Sequence, residues 1–280
     1  MKLTSACALA LIFLAPTLPA QTDSAAPDPR LVQPERPTIA THAGTVARGF
    51  VELEDGGEWD NVGTSERSFF APTNLKIGLA SNAQLNILVN LIQDRLVRNG
   101  SLTASDLTVG VKYRLIEDDR ILGDFAILPA VKFPTAAEGE GGTGTTDFSL
   151  LLISSRQLGS VAMDLNAGVT RRSGNGSSAP INASIWTASF GIPIRGPLGA
   201  ALELFGYPGT AGPAGEKGSA SILVGPTFLL RKWLALDAGV IVPLTGPQAR
   251  AIYTGFVWNV GPIPGTRYLI RHPVPGTRYP

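Results

Sequence analysis

Nucleophiles, bases and metal ligands are scarce in this chain. Its two histidines, His42 and His272, fall outside every segment with strand periodicity, and its one cysteine, Cys7, lies in an apolar N-terminal run. A Ser-His-Asp hydrolase site carried on strands needs a strand histidine, and a histidine-containing zinc site fails for the same reason. Gly139–Gly144 is glycine-rich but holds no lysine and precedes no helix, so it does not cradle phosphate. Glu138, Glu140 and Asp147 could bind calcium loosely, although a solvated loop is the simpler reading. The expectation is a protein that is not an enzyme and carries no cofactor or metal.

The charged residues that remain sit at alternate positions. In Asp106–Leu115 (DLTVGVKYRL), Leu107, Val109, Val111, Tyr113 and Leu115 alternate with Thr108, Gly110, Lys112 and Arg114. Period two is the mark of a strand with one apolar and one polar face. In a soluble sandwich the polar face looks out at water. In an outer-membrane barrel the apolar face meets lipid and the polar face lines the lumen.

Lys2, the apolar run from Ala6 to Leu14 and Leu18-Pro19-Ala20 have the order of a secretory signal peptide, with the cut expected after Ala20. Residues 21–45, rich in Pro, Ala, Asp and Thr and without periodicity, are read as an extended, poorly ordered periplasmic leader. The formal net charge of +1 argues against a nucleic-acid partner. With 32 glycines, 22 prolines and only 16% charged residues, the chain calls for many short strands and many turns.

Strands are expected near 48–59, 67–80, 83–93, 105–116, 121–133, 146–156, 161–171, 181–192, 198–207, 218–230, 233–242 and 249–259. Short links (Ser81-Asn82, Glu117–Arg120, Gln157–Ser160, Pro193–Pro197, Arg231-Lys232) alternate with longer ones at Asp94–Ala104, Pro134–Thr145, Arg172–Pro180, Pro208–Lys217 and Pro243–Gln248. Up-and-down outer-membrane barrels, with short periplasmic turns and long extracellular loops, produce that alternation. The fold class is therefore all-β: a single up-and-down antiparallel transmembrane β-barrel of about 12 strands over residues 46–260.

Trp59, Phe69, Phe133, Phe148, Tyr207 and Tyr253 gather at one rim and Tyr113, Trp233 and Trp258 at the other, as membrane girdles do. Some residues fit less well. Leu151, Ile153, Phe190, Leu223 and Leu229 fall on the lumen face, and Pro72, Pro129 and Pro226 must interrupt a ladder, because proline cannot donate to a neighbouring strand.

Several stretches resemble the family of bacterial outer-membrane barrel transporters named for the MetA pathway of phenol degradation. They are Val46–Gly57 (VARGFVELEDGG), Leu75–Leu79, DLTVGVKYRL itself, Leu128–Thr135 (LPAVKFPT) and Leu234–Val240 (LALDAGV). The resemblance spans about residues 36–259 and implies an outer-membrane barrel that passes small molecules, apolar or aromatic ones among them. One departure is the segment 261–280, Pro-rich and carrying PGTRY twice, where barrels of this kind usually end at an aromatic residue of the last strand. The segment reads as a Pro-rich C-terminal tail.

The leading expectation is a passive channel or transporter for small solutes in the bacterial outer membrane. The second is a non-conducting structural or anchoring barrel. Twelve strands enclose a narrow or partly plugged lumen. Its lining is read as Glu52, Glu54, Asn74, Lys76, Asn86, Lys112, Arg114, Asp124, Lys132, Asp164, Asn166, Glu203 and Asp237, with Asp124 expected opposite Arg114 or Lys112. The implied partners are outer-membrane lipid and lipopolysaccharide (Arg171-Arg172 could touch its phosphates), small-molecule cargo and the barrel-assembly machinery.

Overall fold

The computed structural model describes residues 28–61, 67–93, 101–137, 141–172, 182–209, 218–246 and 248–265. The expected signal peptide, most of the long links, Glu138, Glu140 and the tail beyond Gly265 lie outside them.

Every regular element among the described residues is a strand: β1 (Phe50–Asp60), β2 (Ser68–Ala80), β3 (Ala83–Gln93), β4 (Thr103–Ala104), β5 (Leu107–Asp119), β6 (Gly123–Phe133), β7 (Asp147–Leu158), β8 (Val161–Arg172), β9 (Asn182–Arg195), β10 (Leu198–Tyr207), β11 (Ser219–Arg231), β12 (Leu234–Thr245) and β13 (Ala251–Pro262). Each long strand pairs antiparallel with its sequence neighbours, and β1 pairs with both β2 and β13, which closes the sheet into a barrel. Closure removes the unpaired edges that lipid could not satisfy.

The short β4 is part of the β5 strand. Leu91↔Ala104 and Ile92↔Thr103 lie on one side of an irregularity and Leu88↔Thr108 on the other, offset by one residue. That extra residue turns Asp106 toward the long link, where its carboxylate accepts from the Ala136 and Thr143 N–H groups at 3.1 and 2.9 Å. It also forms an ion pair with Lys132 at 3.2 Å. Counting β4 and β5 together, the barrel has the twelve expected strands.

The wall alternates as an inverted sheet should. Leu115, Phe148, Leu152, Val169, Val224 and Ile252 are exposed on the outside, while Glu52, Lys76, Gln84, Lys112 and Glu203 are fully buried inside. Three expectations change. Phe190 points to lipid, because β9 turns its odd positions inward and buries Thr187 and Ser189. Tyr253 is buried in the lumen rather than placed in a girdle, and Tyr207 shares the inward parity of Glu203 and Phe205. The barrel also runs past the expected boundary at 260, since Gly261 and Pro262 pair with Val51 and Phe50.

Each of the three prolines opens one seam and leaves the other ladder of its strand intact. Pairing lapses between Glu54↔Asn74 and Glu58↔Phe70 beside Pro72, between Gly110↔Ala130 and Tyr113↔Ile127 beside Pro129, and between Val224↔Val240 and Thr227↔Asp237 beside Pro226. On their far sides Pro72 pairs with Asn90, Pro129 with Leu150 and Pro226 with Ala200.

The long links sit at one end and the short turns at the other, which sets the first expected outcome. With Cys7 in the expected signal peptide, a Leu102→Cys variant labels with a membrane-impermeant maleimide on intact cells, and an Ile121→Cys variant labels only after permeabilisation. The opposite pattern inverts the topology.

Candidate functional site: a lumen occupied by the leader

The segment before β1 is where the sequence reading departs most from the structure. Residues 28–49 form no helix or strand, yet Val32, Ala40, Ala43 and Val46 are buried, the last two completely. A buried chain without secondary structure still has backbone groups to satisfy. Here the barrel wall satisfies them with side chains. Gln33 N–H donates to Glu52 (2.9 Å) and Glu35 N–H to Glu54 (2.7 Å). Ile39 and Ala40 both donate to Glu203 (2.8 and 2.7 Å). Thr41 makes a two-way pair with the Asn166 amide, N–H to Oδ1 at 2.8 Å and Nδ2 to its carbonyl at 2.9 Å. Ala43 N–H reaches Ser155 (2.8 Å) and Val46 N–H reaches Gln84 (2.8 Å).

The leader thus visits β1, β10, β8, β7 and β3 in turn and lies across the lumen. It is not a poorly ordered periplasmic segment over these residues. Periodicity could not reveal this, since the bonds run from an aperiodic backbone to scattered side chains. One signal was present: the inward face carries more carboxylate and amide groups than an empty pore needs.

A charge cluster anchors the crossing. The Glu35 carboxylate pairs with Lys112, accepts from Gln84 at 3.3 Å and takes the Asn74 amide at 3.4 Å. Lys76 joins Glu52 (2.7 Å), Glu54 (2.6 Å) and the Gln33 carbonyl (2.6 Å), and Lys112 also donates to the His42 carbonyl at 2.9 Å. Asn86 accepts from Gln84 at 3.0 Å. A second latch is Arg36, which pairs with Asp237 at 3.2 Å and lies flat over two glycines. A Cβ on Gly255 or Gly56 would stand 2.5 or 2.6 Å from its guanidinium, so only glycine leaves room there.

Burial pushes the Glu35 carboxyl up, but the Lys112 and Lys76 ammoniums outweigh it and hold its pKa well below the ordinary value. Burial and the same Lys112 charge push His42 down to about 3, so it is neutral in place.

Eight of the thirteen expected lining residues are buried beneath the leader or against it: Glu52, Glu54, Lys76, Asn86, Lys112, Asn166, Glu203 and Asp237. Asn74 and Asp164 are half-buried, Asp164 accepting from Ser155 at 2.5 Å. The other three lie nearer the ends. Lys132 pairs with Asp147 at 2.9 Å on the long-loop side. Arg114 pairs with Glu117 at 2.6 Å, and Asp124 accepts from Asp118 N–H at 2.9 Å. Asp124 therefore faces neither Arg114 nor Lys112. Arg114 stands opposite Ala126, and a bulge after it shifts the register of the hairpin.

From the level of Glu203 toward the long-loop end, the inward face of β10–β13 carries a buried apolar cluster of Ala201, Phe205, Leu223, Ile241, Ala251 and Tyr253, with Ser221 beside it. Ile153 of the expected misfits packs with Ala126 and leader residue Ala43, with Leu151 and Leu128 alongside. Below the leader lies a cavity of roughly 930 Å³, lined by Asp118, Asp124, Arg156, Asp164, Leu229 and the underside of Gln33–Thr38.

A family model described as "Putative MetA-pathway of phenol degradation" matches residues 45–259. The chain belongs to that family. No curated protein matches the sequence. Among solved structures, this MetA-pathway barrel resembles the COG4313 outer membrane channel from Pseudomonas putida F1, with a TM-score of 0.56 and 12% identity over 77% of this chain and 97% of the other. It also resembles the KdgM porin, solved in complex with disordered oligogalacturonate, with a TM-score of 0.51 and 11% identity over 74% and 98%. At these identities the likeness is one of fold: the MetA-pathway barrel is a bacterial outer-membrane barrel. Leader residues 28–44 precede the matched span.

Acid works against docking of the leader. Free in water, His42 has the ordinary histidine pKa of 6.5 and docked it is lowered to about 3 by burial, so between these values only the undocked leader takes up the proton. Docking is strongest above that upper value and weakens as pH falls. Glu35, depressed when docked, adds a loss in the same direction below its ordinary value of 4.5. Amide-exchange protection of Ala40 and Thr41 falls between pH 7 and 4, and His42→Gln flattens the upper part of that fall. Protection independent of pH refutes the linkage.

Proposed function

We propose that the chain is a passive outer-membrane channel for small apolar or aromatic solutes, held closed here by its own leader. The observation that carries this reading is the apolar cluster on the inner face of β10–β13, where Phe205, Leu223, Ile241 and Tyr253 replace the polar lining of a general porin. Tyr253 lies along that face over Gly225 and Gly239, where a Cβ would stand 2.6 and 2.3 Å from its hydroxyl. Mixed charge below it, with Lys76 and Lys112 matched by Glu35, Glu52 and Glu54, gives no strong preference for either ion sign.

Family membership and the fold shared with a known channel and a porin support the reading. So does the leader, which a merely structural barrel has no need to bind. The barrel works without catalysis on this view.

Liposome swelling tests it. A variant lacking residues 28–44 passes phenol and benzyl alcohol at least several-fold faster than the intact chain, with a smaller gain for arabinose. Glu203→Ala, which strips the acceptor from two buried N–H groups at about 1–3 kcal/mol each, gives an intermediate rate. Equal, negligible swelling for all three proteins and all solutes points instead to the non-conducting barrel.

A further inference from the structure

The cavity beneath the leader has two unlike walls. One is built around a single cross-strand row. Asp124 of β6 stands opposite Ser155 of β7, Ser155 opposite Asp164 of β8, Asp164 opposite Ser189 of β9, and Ser189 opposite Glu203 of β10. Residues directly opposite one another share a face of the sheet. Acid and hydroxyl therefore alternate across five strands, all turned inward.

Part of the row serves the leader. The Glu203 carboxylate accepts from Ile39 and Ala40, and the Ser155 hydroxyl donates to Asp164 while accepting from Ala43. The rest is uncommitted. Asp124 and Asp164 line the cavity together with Asp118 and Asp119 at the end of β5, and none of these four carboxylates forms an ion pair among the described residues. Of the two arginines in the lining, Arg36 is held by Asp237 and Arg156 donates to the Arg120 and Ile121 carbonyls. Ser189 is only 4% exposed and lines the cavity between Asp164 and Glu203, yet its hydroxyl has no hydrogen-bond partner among the described residues. Buried hydroxyls are ordinarily paired.

Toward the short turns, the inner face of β9–β12 is uncharged and cut back to smaller groups at Gly191, Gly199, Thr227, Leu229 and Ala235. Asp124 and Asp164 sit two strands apart, about 10 Å at the usual strand spacing, too far to share one metal ion. The pair of walls suits an elongated occupant with several cations along one side and apolar groups along the other.

The chain carries such a segment. Residues 266–280 (TRYLIRHPVPGTRYP) hold Arg267, Arg271 and Arg278 and no acid, with Tyr268, Leu269, Ile270, Val274 and Tyr279 among them. Their prolines bring no N–H groups to satisfy, and their guanidinium groups match carboxylates in shape. They follow β13, whose last residues, Gly261 and Pro262, pair with Val51 and Phe50 at the short-turn end of β1. With β4 and β5 counted as one strand, β7 stands diametrically opposite β13 in the ring. A ring of that size is about 25 Å across. Six extended residues span about 20 Å and thirteen about 43 Å, so Arg271 and Arg278 reach the acidic row from Gly265.

We infer that residues 266–280 dock in the cavity beneath the leader, with their arginines on Asp118, Asp119, Asp124 and Asp164 and their apolar side chains against β9–β12. The docked segment closes the short-turn mouth under Gln33–Thr38. This holds whether or not the barrel conducts, since it concerns only how the chain fills its own cavity.

The test reads a thiol inside the cavity. Ser189→Cys changes one atom at the buried end of the row, in a chain whose only other cysteine is Cys7 of the expected signal peptide. In the purified full chain this thiol reacts with iodoacetamide, a small neutral reagent, at least fivefold more slowly than in a chain that also carries Arg267→Gln, Arg271→Gln and Arg278→Gln. Sodium chloride at about 1 M, where the Debye length is about 3 Å, raises the slower rate toward the faster. A synthetic peptide of residues 264–280 restores protection to the triple variant, and the same peptide with glutamine for arginine does not. Asp124→Asn with Asp164→Asn abolishes the peptide's effect. Thr227→Cys, on the uncharged wall, shows the same protection and guards against a Ser189 variant that does not fold.

Equal thiol reactivity with and without the three arginines overturns the inference. So does protection by spermidine in a chain whose tail arginines have no effect, which makes the cavity a site for free polyamines instead. Liposome swelling reads conduction separately, so failure here leaves the channel reading untouched.

Discussion

A closed barrel leaves the backbone of anything inside it without ladder partners, and the rest of this structure follows from how that constraint is met. Seven leader N–H groups, from Gln33 to Val46, donate to wall side chains, and four of the seven end on the carboxylates of Glu52, Glu54 and Glu203. Those carboxylates carry charge into a site with almost no solvent. Lys76 balances the first two and Lys112 balances Glu35 of the leader itself. Charged hydrogen bonds of this kind contribute about 1.5–3 kcal/mol each when formed and cost more than a neutral bond when broken on one side only. The wall and the leader are accordingly one polar network. Neither half is satisfied without the other.

This explains the uneven distribution of chemistry along the lumen. Ionisable residues concentrate where the leader crosses and recur at the long-loop rim as Lys132 with Asp106 and Asp147, while the inner face of β10–β13 carries an apolar cluster. Phe205, Leu223 and Ile241 occupy positions that would be polar in a water-filled pore. The cavity below, with Asp118, Asp124 and Asp164 at its edge, opens toward the short turns and keeps an aqueous character. The bilayer, the leader and the solvent each set the polarity of the stretch of wall they touch.

The barrel itself was plainly legible in the sequence, because strand alternation and link length are local properties. β3 and β10 coincide with the expected segments at both ends, and the remaining long strands differ by one to three residues. The prolines at 72, 129 and 226 interrupt the ladder where expected, each on one side only. What the sequence concealed was non-local. Parity in β9 and the placement of Tyr253 depend on registers set across neighbouring strands, and the bulge after Arg114 undid the pairing expected for Asp124. The leader escaped notice for a deeper reason. Its proline-rich composition is that of a disordered segment, and its order comes from acceptors contributed by residues 19 to 164 positions away.

Both ends of the described part of the leader, Asp28 and Gly49, lie at the same mouth of the barrel. Asp28 pairs with Lys232 in a short turn, Val32 donates to the carbonyl of the same residue, and the chain leaves by Gly49 into Phe50 at the short-turn end of β1. The segment goes in and comes back out, like a bight of rope pushed through a ring, instead of being threaded from one side to the other. Removing it needs no free end to be drawn through the lumen and no strand to unzip. Folding gains the same freedom in reverse: the cylinder can be completed first and filled afterwards, so the order of the two events is left to their rates and not imposed by topology.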